Sequence, residues 1–305
     1  MKSFKKDVSD QWVNAMVKEH YPDAEQFKRI DIGELSRVDQ FMTKEKVYVA
    51  HIREHSESFY KARDVYNRYG TRLPIPRVIA IHDHQGTYMM VSEKLNGDPV
   101  SAYPQPTQAD LASHLITILE SMITVRDNDT FGWMNRGDNK RYQTWQDMLE
   151  GFFIEESEGF FANWRTMFTT GVLDKEVFDA GYDKMLELAS YAPKRPFLVH
   201  GDFHLGNVVT DGTVITGIVD WEMAMYGDFL YDVANLHLWS PNLDFPAKVK
   251  RYFEEEGVEI PYFNERLQAN LLCRLLNGLR FYAKQENRDG YHLMKNTLMK
   301  QLDEV

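Results

Sequence analysis

The stretch His200-Gly201-Asp202-Phe203-His204-Leu205-Gly206-Asn207, followed by Val219-Asp220-Trp221-Glu222, decides the reading of this chain. It has the pattern H-x-D-x-x-x-x-N, with a second Asp eighteen residues after the first. The run Val214-Ile-Thr-Gly-Ile-Val219 is apolar and β-branched, which predicts a buried strand. Asp211-Gly212 before it is a hairpin-turn signal, and Pro196-Phe-Leu-Val-His200 predicts a first short strand. The segment 197–222 therefore reads strand, polar loop, strand, turn, strand, Asp. Asp202 and Asn207 share one tight loop, and Asp220 is delivered to the same place by a rigid element.

This is the spacing of a kinase catalytic loop and its metal-binding Asp. Phosphoryl transfer from Mg-ATP needs one carboxylate to orient the attacking hydroxyl and accept its proton. It also needs hard oxygen donors that hold Mg²⁺ against the phosphates. Asp202 is the candidate catalytic base, and Asn207 with Asp220 the candidate metal ligands. His200 is expected to brace the loop by hydrogen bonding, and His204 to face solvent or the cleft.

Four further segments resemble the aminoglycoside phosphotransferases, whose loop reads H-G-D rather than H-R-D. They are Ser58-Phe-Tyr-Lys-Ala-Arg-Asp-Val-Tyr66, Leu73-Pro-Ile-Pro-Arg-Val78, Arg141-Tyr-Gln-Thr-Trp-Gln-Asp147, and Ile218-Val-Asp-Trp-Glu-Met-Ala-Met-Tyr-Gly-Asp228 running into Tyr231-Asp-Val-Ala-Asn235. The likeness covers roughly residues 30 to 285 and is strongest to the branch acting on hygromycin B. It implies an α+β, bilobal, protein-kinase-like fold. Residues 1–95 would form a β-rich nucleotide-binding lobe with a hinge at 91–95, and residues 96–305 a mostly helical lobe carrying the catalytic loop and acceptor pocket. The activity implied is ATP-dependent O-phosphotransfer to an aminoglycoside hydroxyl, with a hygromycin B-like acceptor favoured and ATP and Mg²⁺ as cofactors.

The resemblance also marks departures. Where such kinases place a phosphate-binding Lys on the third strand, this chain has His51, with Arg53 on the same face two residues on. The helix after that strand has Ala62 where a Glu partner is expected, and its nearest acid is Asp64. Trp239 matches an aromatic position beside the acceptor, but Asn242 stands where the resembling sequences have a second Trp. The C-terminal helices and a helix in the 150s are expected to form the acceptor pocket. Asn277 on the former is a candidate substrate contact, and the acidic cluster of Glu155, Glu156 and Glu158 on the latter could meet substrate ammonium groups.

Other expectations come from pattern alone. Asp31-Ile-Gly-Glu-Leu-Ser-Arg37 is the candidate phosphate-covering loop: Gly33 permits close backbone approach and Ser36 offers a hydroxyl. Val47–Ile52 alternates as a strand, and Val78–Ile81 and Tyr88–Val91 read as strands paired around Gln85-Gly86. Ser92-Glu93-Lys94-Leu95 follows as the hinge, whose backbone would read the adenine edge. Thr107-Gln-Ala-Asp110 resembles a capping box, and helices are predicted over 59–69, 143–168, 174–190 and most of 246–303. Leu267, Leu271, Leu275, Leu279 and Tyr282 mark a buried stripe in the last of these, with Asn270, Arg274, Asn277 and Lys284 off it. Asp228 and Asp232 are read as capping and bracing residues.

The 305 residues suffice for a large core and two lobes. A net charge of −11 argues against nucleic acid or an anionic membrane surface as partner and suits a cationic small molecule. One cysteine, Cys273, in an apolar helical pattern excludes an internal disulfide and fits a reducing compartment. No apolar run reaches the length of a membrane span, and the N-terminus has no apolar signal core. A cytoplasmic protein, monomeric or weakly dimeric, is expected. Two alternatives stay open. One is a metabolic kinase of the same fold, acting on choline, homoserine or a thioribose. The other is a nucleotide-binding protein without catalysis, suggested by His51 and the missing helix Glu.

Overall fold

The computed structural model describes residues 8–30, 36–44, 46–126, 128–134, 140–155 and 157–303. The chain opens with helix α1 (Asp10–His20), whose N-cap Ser9 side chain accepts from the Trp12 N–H at 3.2 Å. Strands β1 (Glu25–Ile30), β2 (Arg37–Met42) and β3 (Val47–Arg53) follow, then helix α2 (Glu57–Tyr69) and strands β4 (Val78–His84) and β5 (Thr87–Glu93). The five strands form one antiparallel sheet in the order β1-β2-β3-β5-β4. Gln85 (φ 53°) and Gly86 (φ 80°) join β4 to β5, the positive φ pair of a tight hairpin turn.

Period-2 alternation decides which side chains this sheet offers to the rest of the protein. Phe41, Ala50, Ile52, Met89 and Val91 pack under Val13, Met16 and Val17 of α1. Val49, His51 and Arg53 consequently lie on the opposite face.

After β5 the chain becomes mainly helical. Short strand β6 (Asp98–Pro99) precedes α3 (Gln105–Asp110) and α4 (Ala112–Ile123). Strand β7 (Gly132–Trp133) leads to α5 (Trp145–Gly151), α6 (Thr166–Thr169) and α7 (Lys175–Ala189). Strands β8 (Phe197–Val199), β9 (Val208–Thr210), β10 (Ile215–Ile218) and β11 (Met225–Gly227) frame the polar loops. Helices α8 (Leu230–Trp239), α9 (Phe245–Glu255), α10 (Phe263–Lys284) and α11 (Arg288–Asp303) complete the chain. Two three-stranded sheets, β10-β9-β6 and β7-β11-β8, hold the segment around the 200–207 loop. The Asp211-Gly212 hairpin forms as read, with Gly212 at φ 97°.

One core runs from Val65 and Tyr69 of α2 through Leu115 and Leu119 to Ile218, Leu230 and Phe245. A second packs Trp145, Met185, Tyr231, Leu272, Leu275 and Leu298, with Cys273 fully buried inside it. In the α10 stripe Leu271, Leu275 and Leu279 are buried, while Leu267 and Tyr282 are partly buried at its ends.

Two helix expectations need correction. No capping box forms at Thr107; α3 starts earlier, after Pro104, with Pro106 in its first turn, and Thr107 lies inside it. A capping box forms instead at Thr144 and Asp147, which starts α5. The helix predicted over 143–168 is broken, because α5 ends at Gly151 and the described residues 152–155 and 157–165 run as turns and bends with Gly159 (φ 90°) and Asn163 (φ 55°) left-handed. The cause is tertiary. Phe153, Phe161 and Trp164 close around the buried guanidinium of Arg280 on α10, with ring centroids 4.5, 4.4 and 4.8 Å from Cζ. A continuous helix, rising about 1.5 Å per residue, would spread these three residues over about 16 Å of its axis, too far for all of them to meet one guanidinium.

Candidate active site

His200 ties the two halves of the motif together. Its Nδ1 accepts from the Asp202 N–H at 3.2 Å, so Nε2 carries the proton and donates to the Val219 carbonyl at 2.9 Å. The Val219 N–H in turn donates to the Asn207 carbonyl at 2.9 Å. Burial pushes the His200 imidazole down to about 4, so it stays neutral near pH 7. It is the brace that the sequence suggested.

Asp232 fixes the loop from the other side, its carboxylate accepting the N–H groups of His200 (2.7 Å) and Gly201 (2.9 Å). Gly201 has φ 85°, and a Cβ there would fall 2.1 Å from the Met223 carbonyl oxygen, so only glycine fits. Asp228 accepts from the Leu230 N–H at 3.1 Å and forms a buried ion pair with Arg266 at 2.7 Å. Asp232 therefore braces the loop as expected, whereas Asp228 bonds the first helical N–H without standing at the N-cap of the helix over 230–239, which is Phe229.

Asp202 is half-buried at the centre of a ring of donors. Asn207 Nδ2 donates to its carbonyl at 3.0 Å and its Oδ2 at 3.4 Å. Asn235 Nδ2 from α8 approaches Oδ1 at 3.3 Å, and Arg274 Nη2 from α10 approaches the same oxygen at 3.2 Å. His204 Nε2 lies 3.4 Å from Oδ2, its Nδ1 accepting from the Gly206 N–H at 3.0 Å. Burial alone would raise this carboxyl, but the His204 hydrogen bond and the Arg274 charge outweigh it and hold Asp202 well below the usual carboxylate range. His204 thus faces the cleft and the Asp202 carboxylate.

Asp220 follows β10 with a left-handed backbone (φ 62°, ψ 58°), and its carboxyl stays open to the cleft. Desolvation by its surroundings and the neighbouring Glu222 carboxylate raise it above the ordinary Asp value, and Asp202 adds to the rise. Asn207 uses its Nδ2 on Asp202, which leaves its amide oxygen directed elsewhere. Among the described residues no three His, Cys, Asp and Glu side chains gather as a metal cage. A cation here would take one carboxylate and one amide oxygen from the protein.

On the sheet side, Arg53 reaches out of β3. Its Nη1 contacts Glu222 Oε2 at 2.7 Å and Ser58 Oγ at 2.9 Å, and its Nε donates to Ser36 Oγ. His51, two residues back, is pushed down to about 4 by burial and then by the Arg53 charge, so it is neutral. Lys61 on α2 is buried and donates to the Glu222 carbonyl at 2.6 Å. Ser92 is buried in the sheet opposite Val49, Glu93 pairs with Lys46 at 3.3 Å, and Leu95 packs against Gly217. Gly33 lies outside the described residues.

On the opposite side, Trp239 is exposed one helical turn after Asn235, which places it on the face of α8 that touches Asp202. Asn277 sits one turn after Arg274 on α10 and accepts from Arg280. Glu155 stands on an exposed turn paired with Arg165 at 3.8 Å, and Glu158 is also exposed, so neither lines a helix. Glu156 lies outside the described residues. Sequence reasoning gave no role to Arg274, Asn235, Glu222 or Lys61. Only the polar breaks at Arg274 and Asn235 in otherwise apolar helices could have signalled two of them.

The chain is also similar to known proteins. The chain matches the phosphotransferase enzyme family over residues 26–262. It is similar to hygromycin-B 4-O-kinase of Escherichia coli, with 29% identity over 261 residues, 83% of this chain and 74% of that protein. Among solved structures it is similar to aminoglycoside phosphotransferase APH(4)-Ia, at TM-score 0.80 and 25% identity, covering 97% of this chain and 99% of that one. A thermostable mutant of APH(4)-Ia in a ternary complex with ADP and hygromycin B superposes equally, at TM-score 0.80 and 25% identity over 95% of this chain and 98% of that one. A putative fructosamine-3-kinase from Haemophilus somnus, at TM-score 0.70 and 16% identity over 95% and 96% of the two chains, shares the fold. A sheet followed by a helical region, a braced H-G-D loop facing a second Asp, and a match over most of the chain lead to one conclusion: this α+β chain has the bilobal kinase-like fold, belongs to the phosphotransferase enzyme family, and is an enzyme that phosphorylates a hydroxyl group.

Proposed function

We propose that this enzyme moves the γ-phosphate of ATP to a hydroxyl of an aminoglycoside, with a hygromycin B-like molecule as the favoured acceptor. The observation that carries the reading is Asp202, held ionised between Arg274 and His204 and hydrogen-bonded to Asn207. An ionised carboxylate there accepts a hydrogen bond from the acceptor hydroxyl and orients it. Its low basicity means that the proton transfers late, as a loose phosphoryl-transfer transition state allows.

Asn207 and Asp220 are the residues that would hold Mg²⁺. One amide oxygen and one carboxylate suit an ion that keeps waters and takes further oxygens from phosphates. The raised Asp220 carboxyl fits a cation too, since positive charge would restore its ionised form. Bound there, the ion would neutralise charge on the transferring phosphoryl group. Arg53 and Ser36 stand on the side of the sheet where nucleotide phosphates would lie, whereas a neutral His51 offers no fixed charge. We place the hinge at 91–95, because β5 ends there and the next strand, β6, already pairs with β9 beside the catalytic loop. Ser92, Glu93 and Leu95 would then contact the nucleotide through their backbone.

Trp239 and Asn277 are proposed to contact the acceptor, since each lies one turn beyond a residue that touches Asp202. Glu155 would meet acceptor ammonium groups only from the rim. The sequence's acidity favours a cationic acceptor. The lone buried Cys273 suits a reducing compartment, and a cytoplasmic site of action is proposed on that ground. The test is ADP release from Mg-ATP with hygromycin B and other aminoglycosides beside choline and homoserine. Stimulation by an aminoglycoside supports the proposal. Stimulation by a metabolite alone would transfer the enzyme to the metabolic reading.

A further inference from the structure

The sheet that should carry a phosphate-binding Lys has a neutral His51, and the helix that should carry its Glu partner has a buried Lys61. The charges are nevertheless present, in exchanged places. Arg53 Nη1 lies 2.7 Å from Glu222 Oε2, a bridge spanning 169 residues of sequence. Ser58 accepts from the same nitrogen, and Ser36 accepts from Nε. Arg53 Nη2 has no partner among the described residues. A guanidinium fixed on two of its three nitrogens, with the third open, is already organised to receive an anion.

The acid comes from the C-terminal part of the chain, two residues past Asp220. Its backbone is gripped as well: Lys61 Nζ donates to the Glu222 carbonyl at 2.6 Å, and the same ammonium lies 5.6 Å from the Trp133 ring centroid. Lys61 is only 7% exposed. Two cations, one from β3 and one from α2, therefore converge on one residue of the 220–222 turn.

We infer that Glu222 is a positioning residue that aims Arg53 at the nucleotide phosphates, and that the Arg53–Glu222 bridge, with Lys61 holding the turn beneath it, replaces a Lys–Glu pair within the nucleotide-binding part. The inference rests on the phosphotransferase reading. It adds that phosphate binding and placement of Asp220 are coupled through one side chain. An account resting on His51 has no such link.

A double-mutant cycle tests it, read as the dissociation constant of ATP with excess Mg²⁺ by calorimetry, with adenosine as a probe lacking phosphates. Arg53→Met is expected to weaken ATP about tenfold or more and to leave adenosine unchanged. Glu222→Gln is expected to cost ATP a similar factor in the wild-type background but less than about twofold beside Arg53→Met. Arg53→Lys should recover part of the affinity, which guards against a variant that fails merely by misfolding. Equal losses from Glu222→Gln in both backgrounds, or equal losses of ATP and adenosine, would overturn the inference while leaving the phosphotransferase reading intact. A wild-type protein that binds no ATP would overturn both.

Discussion

Arg274 Nη2 lies 3.2 Å from Oδ1 of Asp202, an ion pair that reaches from the middle of α10 to the loop that carries the proposed base. The same guanidinium contacts the Gly201 carbonyl at 3.4 Å and the Tyr231 hydroxyl at 3.2 Å. It therefore fixes both the charge and the position of the proposed base. Replacing Arg274 with Met should lower kcat about tenfold or more while changing the KM for ATP little, and Arg274→Lys should recover part of the loss. Steady-state kinetics with the aminoglycoside that supports turnover would show this. Unchanged kcat would mean that Asp202 is adequately held by Asn207, Asn235 and His204 alone.

Asp220→Ala should remove the Mg²⁺ dependence of nucleotide binding, because it deletes the only carboxylate in the proposed donor set. Calorimetric titration with ATP, with and without Mg²⁺, reads this directly. An Mg-ATP affinity equal to wild type would refute the assignment of Asp220.

Phe153, Phe161 and Trp164 are held against α10 by the aromatic cage they form around Arg280, and Lys284 Nζ donates to the Ala162 carbonyl at 2.7 Å. Buried cation–π contacts of this kind contribute about 2 kcal/mol or more. Arg280→Met should lower the melting temperature and raise the KM for the acceptor, since the cage stands one turn from Asn277, while ATP affinity stays within about twofold. A variant with an unchanged acceptor KM would separate this segment from acceptor binding.

Acid stability carries a signature of the neutral His200. Its folded value of about 4 lies below the ordinary 6.5, so the unfolded chain binds the extra proton first. Stability is then full above about pH 6.5 and falls as pH drops toward 4, by on the order of 3 kcal/mol for a fully buried imidazole. Urea unfolding at pH 7 and pH 5 should show the decline, and His200→Asn should reduce it. An equal decline in the variant would assign the effect to other groups.

How much of this was legible in the sequence follows from how local each feature is. The hairpin of β9 and β10 and the brace at His200 belong to one short motif, and both appear as read, as does the brace at Asp232 further along the chain. Ala50 and Ile52 alternate as a strand should, which put His51 and Arg53 on the cleft face in advance. The helix over 143–168 could not be anticipated to break, because its breaker is Arg280, more than a hundred residues away. The proline at 106 gave a better helix start than the capping pattern at Thr107. Arg53 was legible as a cation, but its partner Glu222 is set by a contact across 169 positions that no periodicity reports. Arg274 was visible only as a residue off an apolar stripe.

The central claim is that Asp202 is the base of a phosphotransferase. The most direct measurement is turnover by Asp202→Ala beside wild type, by ADP release with the stimulating acceptor, after circular dichroism and Mg-ATP titration have shown the variant folded and nucleotide-competent. The account predicts a loss of about 10²-fold to 10⁴-fold in kcat with Mg-ATP affinity retained. A folded, ATP-binding variant that turns over at near the wild-type rate would contradict it.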